Sequence, residues 1–167
     1  SQLEFPDGQF DMIVSSFVWE HIALGTKDEL LGRLRRWLRA DGTLILLFDT
    51  DSAGPLYRAL KTRPELFQAS FVDRDAHIGL ELPSRALSRF RAAGLRVESF
   101  AVLGTSLPHL PVLAWLEPFS GVNRWAAAAR GLGEVLSASR FTANLYQFAV
   151  HAVDRTAGRL LPADWGR

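Results

Sequence analysis

The chain of 167 residues contains no cysteine and only one methionine. Without cysteine the chain has no disulfide framework and no thiolate metal site, and a reducing cytoplasm, which is the compartment we expect, is permitted. Long hydrophobic runs are also missing, because Pro, Arg, Glu or Gly interrupts each apolar stretch well before the roughly 20 residues that a spanning helix needs. The sequence therefore predicts no transmembrane helix.

The chain also has no large excess of positive or negative charge. The formal net charge is +1, and 22% of the residues are charged. This balance gives no electrostatic reason to expect nucleic acid as a partner. With 48% hydrophobic residues, the chain has the composition of a globular protein that is long enough to bury a core.

The most informative stretch is residues 5–22, which read FPDGQFDMIVSSFVWEHI. A Pro-Asp-Gly turn precedes a short apolar run, which predicts a strand over residues 10–16. The run alternates poorly, which favours a strand that is covered on both faces in a parallel sheet. Its polar end, Ser15 and Ser16, lies where ligands bind in open parallel sheets, beyond the carboxyl end of a strand.

A helix and a second strand follow. Thr26 and Glu29 have the spacing of a capping box, which predicts a helix that begins after Thr26. An Asp-Gly turn then leads into an apolar run that predicts a strand over residues 43–48. Strand, helix and strand with short connections predict a right-handed parallel unit. Asp49 and Asp51 leave the second strand at the same edge, where they either cap the next helix or orient a substrate hydroxyl.

These two ordered patterns resemble class I S-adenosylmethionine-dependent methyltransferases of the small-molecule type. Chains of that family read LPFPDGSFDLVVSSFVLEHI and then, one helix later, LKPGG and a strand, where this chain has LRADG and TLILLF. The resemblance implies S-adenosylmethionine as the cofactor. It also implies that Ser15, Ser16, Phe17 and His21 line one wall of the cofactor pocket. A strand end whose hydroxyl groups bond to the backbone is the open alternative for the two serines.

The resemblance further implies a fold. The family's sheet has the strand order 3-2-1-4-5-7-6, with the last strand antiparallel. Residues 10–16, 43–48, 95–102 and 144–154 resemble strands four, five, six and seven. We therefore expect an α/β chain with a partial Rossmann-like methyltransferase fold, a mostly parallel sheet in the order 4-5-7-6 and flanking helices, in which residues 1–167 form a single partial domain.

The family's glycine-rich cofactor loop lies upstream of the matching region, where this chain has only Ser1 and Gln2. The first residues also lack an initiator methionine and the features of a signal peptide. We expect the natural sequence to continue upstream. Strand four then becomes an edge with uncovered apolar side chains, which predicts self-association or pairing with a chain that carries the missing half.

Two histidines are candidate catalytic residues. His21 can accept a proton from an acceptor hydroxyl, although a structural or cofactor-adjacent role is an open alternative. Its neighbour Glu20 diverges from it by about 100° on a helix, which predicts that the two do not face one ligand. His77, with Asp75, is the second candidate, because it distantly resembles the DPTHV stretch of methyltransferases that act on sugars and lipids. No metal site is predicted, since the four histidines are scattered and no carboxylate cluster accompanies them.

Residues 106–142 are predicted to form a helical lid or insertion. The segment begins with an apolar, proline-rich part that contains Trp115. A lid over a substrate pocket, a segment that contacts a membrane surface and a segment that packs under the next helix are the three alternatives.

The expected function is methyl transfer to oxygen or carbon of a sugar, lipid or specialised metabolite, by a longer chain or complex that includes this one. Asp49, Asp75, His77 and Trp115 are the candidate substrate-binding residues for the small-molecule acceptor. The alternative is a non-catalytic, truncated methyltransferase-like domain that binds another protein through its exposed edge.

Overall fold

A computed structural model describes residues 4–102, 108–156 and 160–166. The chain groups into two compact units, which consist of residues 1–50 with 77–100 and of residues 51–76 with 101–167. The single partial domain expected over residues 1–167 stays a prediction. Across the described ranges, no helix has the length and apolarity that crossing a membrane requires.

The described residues form two strands and seven α-helices. The strands are β1 (Phe10–Ser16) and β2 (Leu38–Leu47). The helices are α1 (Lys27–Trp37), α2 (Pro55–Lys61), α3 (Pro64–Gln68), α4 (Pro83–Ala92), α5 (Leu110–Trp115), α6 (Arg124–Ser137) and α7 (Arg140–Arg155). Short 3-10 turns lie at Trp19–His21, Leu24–Thr26, Glu117–Phe119 and Ala163–Trp165, and a π turn lies at Ala69–Asp73.

The two strands pair in parallel, with α1 between them in sequence, which confirms the predicted strand-helix-strand unit. Val14 lies opposite Ile45 in the register. β2 begins earlier than predicted, and the predicted Asp-Gly turn becomes an irregularity within this strand. The space there is narrow, because a Cβ on Gly42 would lie 3.1 Å from the backbone of Arg39.

One face of this two-stranded sheet is covered and the other is not. Leu44 and Leu46 pack against a buried cluster that contains Trp19, Leu31, Ala86 and Phe90. On the opposite face, the exposed fractions are 55% for Met12, 63% for Val14, 45% for Ile45 and 53% for Leu47. The expectation of a strand covered on both faces is therefore wrong, whereas the uncovered apolar side chains expected for a partial sheet are present.

Two of the four predicted strands are not strands. Residues 95–102 have no regular secondary structure, and residues 144–154 lie within α7. The latter stretch forms a helix because its sequence has no Pro or Gly, and the Ser139 hydroxyl caps the helix by accepting a hydrogen bond from the Phe141 N–H at 3.2 Å. Within the described ranges the sheet has the order β1-β2, and the expected order 4-5-7-6 is not observed.

Helix α1 begins where predicted, but without the capping box. The Thr26 hydroxyl donates to the carbonyl of Ala23 at 2.9 Å and makes no bond to the first turn of the helix. Asp28 and Glu29 instead place negative charge near the positive end of the helix dipole. Helix α4 ends shortly before Gly94, which has a φ of +77°.

The second unit has its own aromatic core. Its buried residues are Tyr57, Leu60, Phe71, Val112, Leu113, Leu116, Phe119 and Ala126. Four of these come from the apolar part of the predicted lid, which favours the alternative that this segment packs beneath α6. Residues 106 and 107 of the predicted lid lie outside the described residues.

Candidate functional site

The candidate site begins at the carboxyl end of β1. Ser15 is half-buried there, and Ser16 and Phe17 are exposed. Phe17 has a φ of +53°, a strained value for a residue other than glycine, and its N–H donates to the Leu47 carbonyl at 2.7 Å. This conformation turns the chain out of the sheet and into the 3-10 turn Trp19–His21.

A buried polar network holds this turn against the segment that precedes α4. The carboxylate of Glu81 accepts hydrogen bonds from Trp19 Nε1 at 3.0 Å, Lys27 Nζ at 3.0 Å and Arg89 Nε at 3.1 Å. Lys27 Nζ also donates to the Gly79 carbonyl at 2.6 Å. Because these groups are buried and mutually satisfied, they fix the segment around residue 79 in one position.

Burial dominates the electrostatics of Lys27. Its side chain is fully buried, and loss of solvation lowers the pKa of its ammonium below the ordinary value, against the opposing effect of the hydrogen bond and charge of Glu81. The ammonium also lies 4.6 Å from the centre of the Trp19 ring, in a cation–π contact. The first turn of α1 is thereby tied to the two polypeptide segments that form the site.

Gly79 allows those two segments to meet. Its N–H donates to the Glu20 carbonyl at 2.8 Å, and a Cβ at this position would lie 1.8 Å from the Ile22 carbonyl oxygen. This close approach places His77 beside His21, with their ring centres 4.9 Å apart in an edge-to-face arrangement. The two histidines predicted as catalytic residues are therefore neighbours in the structure.

Glu20 joins the two histidines. One carboxylate oxygen of Glu20 and one ring nitrogen each of His21 and His77 all lie within 4.8 Å of one another. Glu20 is 1% exposed, and neither of its carboxylate oxygens has a hydrogen-bond partner among the described residues. His77 is also buried, whereas His21 is exposed.

The expectation that Glu20 and His21 cannot face one ligand is therefore wrong. The angular argument applies to the Cα–Cβ directions of a regular α-helix, but these residues lie in a single 3-10 turn. Long side chains with rotatable bonds bring their terminal atoms back together beyond such a turn.

The other candidate residues lie elsewhere. Asp49 is half-buried just after β2, and Asp75 is exposed in the turn before His77. Trp115 is half-buried, with its ring centre 5.6 Å from that of Phe71 in the aromatic core. Their substrate-binding roles stay predictions.

Asp51 does not cap α2. Its carboxylate pairs with Lys61 Nζ at 2.6 Å and accepts a hydrogen bond from the Ser52 N–H at 2.7 Å. The N-cap position of α2 is Gly54, and no side chain among the described residues caps the first turn of this helix.

Sequence reasoning missed the network around Glu81 and the contact of Glu20 with His77. The sequence contains one signal for that contact, Gly79, since glycine is suited to positions where two backbones approach closely. The partner segment cannot be identified from that signal alone.

Comparison with known proteins identifies part of the chain. A family model described as a methyltransferase domain matches residues 1–46. No curated protein and no solved structure has significant similarity to the chain. The matched range contains β1, α1 and most of β2, together with Glu20 and His21. The N-terminal part of the chain is therefore similar to part of a methyltransferase domain.

Proposed function

We propose that the chain contributes to S-adenosylmethionine-dependent methyl transfer to a small-molecule acceptor, at oxygen or carbon of a sugar, lipid or specialised metabolite, as part of a longer chain or complex. The match of residues 1–46 to a methyltransferase domain is the observation that supports this proposal. The parallel β1-α1-β2 unit is consistent with it, because the sheet of such domains is mostly parallel.

The carboxyl end of β1 suits one wall of a cofactor pocket. Ser15 and Ser16 offer hydroxyl groups, and Phe17, whose exposed fraction is 55%, offers an aromatic surface. When bound, S-adenosylmethionine supplies a methyl group on a positively charged sulfur. The residues of this wall would hold and orient it, and orientation is the larger part of catalysis in a direct transfer.

His21 and His77 suit the acceptor side. An oxygen acceptor loses its proton as the new bond to carbon forms, and an imidazole of near-neutral pKa is suited to receive it. The exposed position of His21 leaves its ring accessible to an acceptor, whereas the buried His77 lies behind it and orients it through the edge-to-face contact.

Calorimetric titration with S-adenosylmethionine tests the proposal. We expect the chain of residues 1–167 to bind the cofactor weakly, and a chain that is extended upstream to bind it well. In the extended chain, Phe17→Ala should lower the affinity about tenfold, because base–aromatic stacking is worth about 1–3 kcal/mol. Phe100→Ala, at another exposed phenylalanine, is the matched control. Failure of the extended chain to bind would overturn the proposal.

A second candidate function is binding of a partner polypeptide without catalysis. The observation that favours it is the row of exposed apolar side chains on the uncovered face of the sheet. Such a row on a parallel sheet, whose faces are ordinarily both covered, indicates a surface that another element packs against.

A further inference from the structure

We propose that Glu20, His21 and His77 bind a divalent transition-metal ion, with Zn²⁺ as the best-suited one. Two imidazole nitrogens and one carboxylate oxygen form a common set of protein ligands for zinc and related ions. In this chain the three donor atoms lie within 4.8 Å of one another. A metal ion on these ring nitrogens occupies the lone pairs with which a histidine accepts a proton, so ion binding and the proton-acceptor role of His21 are alternatives. The ion-binding proposal does not depend on the proposed methyl transfer.

The carboxylate of Glu20 is the second observation. It is buried, and neither oxygen has a hydrogen-bond partner among the described residues. A buried carboxylate without partners is energetically costly, and a bound cation removes that cost. Lys27 acts on Glu20 electrostatically but does not pair with it, because its ammonium donates to Glu81 and to the Gly79 carbonyl.

The spacing of the donors is compatible with one ion. Zinc bonds to nitrogen and oxygen are about 2.0–2.2 Å long, so two ligands of one ion lie roughly 3–4 Å apart. The donors must therefore approach one another by about 1 Å. His21 is exposed, whereas Glu20 and His77 are buried, so we expect His21 to make most of this adjustment.

The surroundings also position the ligands. The Gly79 N–H bond to the Glu20 carbonyl and the Lys27–Glu81 pair fix the two segments that carry them. Such supporting contacts around a metal site orient its ligands and raise its affinity. With three ligands from the protein, at least one coordination position remains for water or another oxygen donor.

The test is a titration of the chelator-treated chain with Zn²⁺ by calorimetry, and with Co²⁺ by visible absorption, in the absence of S-adenosylmethionine. We expect saturable binding of one ion per chain. Glu20→Gln, which keeps the size of the side chain, and His21→Asn should each lower the affinity by at least about tenfold. His151→Asn is the matched control, because His151 is also exposed and also lies beside a second histidine, His109, at 5.3 Å between ring centres.

The stability of the variants, measured with and without Zn²⁺, distinguishes a Glu20 that binds metal from one that has only a structural role. Without metal, Glu20→Gln should be at least as stable as the wild type, since it removes an unpartnered buried charge. Added Zn²⁺ should raise the Tm of the wild type and leave that of Glu20→Gln unchanged. The absence of saturable binding, or binding that survives Glu20→Gln, would overturn the proposal. Loss of binding in His151→Asn alone would overturn it as well, by placing the ion at the other histidine pair.

Discussion

At the scale of single residues, Gly79 is the most tightly constrained position near the site. A side chain there would meet the backbone of Ile22 and of Glu20, and neither can move without displacing the 3-10 turn that carries Glu20 and His21. The turn that carries Glu20 and His21 can therefore meet the segment that carries His77 only because residue 79 has no side chain.

Gly79→Ala should accordingly lower the free energy of unfolding by about 3 kcal/mol or more, because the new Cβ overlaps a carbonyl oxygen that lies 1.8 Å away. Gly32→Ala is the matched control, since nothing lies within 4 Å of the added atom and the residue is inside α1. This control should gain about 1 kcal/mol from higher helix propensity. Urea denaturation measures both. Equal effects of the two substitutions would contradict the close approach described for Gly79.

Single residues also show how far sequence reasoning extends. Ser15, Ser16 and Phe17 lie at the end of a strand as predicted, because the local pattern of apolar and polar residues determines where the strand ends. The meeting of Glu20 with His77 was not predictable, because it depends on a contact between segments far apart in sequence. Only the packing of the intervening elements determines such a contact.

At the scale of elements, the attachment of α1 to the segment before α4 depends on a buried ion pair. Lys27 and Glu81 have side-chain exposures of 0% and 3%, and their charged atoms lie 3.0 Å apart. Removing one partner of such a pair leaves the other charge in a site without full compensation, which is far more destabilising than loss of a surface pair.

Lys27→Met should lower the free energy of unfolding by about 3 kcal/mol, with Arg89 and Trp19 remaining as partners of Glu81. Lys61→Met is the matched control, because Lys61 forms a pair of similar length with Asp51 at exposures of 34% and 27%. The control should lose about 1 kcal/mol or less. Equal losses in urea denaturation would show that burial does not distinguish the two pairs.

The pH dependence of the same pair has a defined sign. Burial lowers the pKa of Lys27 in the folded chain below its ordinary value of 10.5. At a pH between the pKa of Lys27 in the folded chain and its pKa in the unfolded chain, the unfolded chain binds more protons than the folded chain. The contribution of Lys27 to the free energy of unfolding therefore rises as the pH approaches 10.5. The stability difference between wild type and Lys27→Met should therefore increase over that range.

The sequence predicts those strands and helices whose signals lie in the local pattern of residues. The bounds of β1 and the start of α1 follow from turn residues and the pattern of apolar and polar residues. The two failures are residues 95–102 and α7, which were predicted to be strands six and seven in the family's strand order. That order requires a complete sheet, and strands outside a sheet have no ladder partners to stabilise them.

At the scale of the whole molecule, the two-stranded sheet is the feature that needs further packing to be stable. Two paired strands are marginal without further packing, and in the part of the chain that the structure describes only one face has a cluster against it. The row of Met12, Val14, Ile45 and Leu47 on the other face is apolar and exposed. We expect this face to bind a second copy of the chain or a polypeptide that supplies the missing part of the sheet.

The double substitution Val14→Thr and Leu47→Thr tests that expectation. Threonine keeps the preference for strands while removing apolar surface, and both side chains are more than half exposed, so the free energy of unfolding should change by less than about 1 kcal/mol. Sedimentation velocity over a range of concentrations should show self-association of the wild type and a weaker tendency in the variant.

Leu46→Thr on the covered face of the same strand is the control for that double substitution. It should destabilise the chain by about 2 kcal/mol, because Leu46 packs against the buried cluster, and it should leave the association surface in place. A wild-type chain that stays monomeric at high concentration and melts cooperatively would count against this face as a binding surface. Because the covered and uncovered residues alternate along one strand, the two substitutions separate the stability of the sheet from its association.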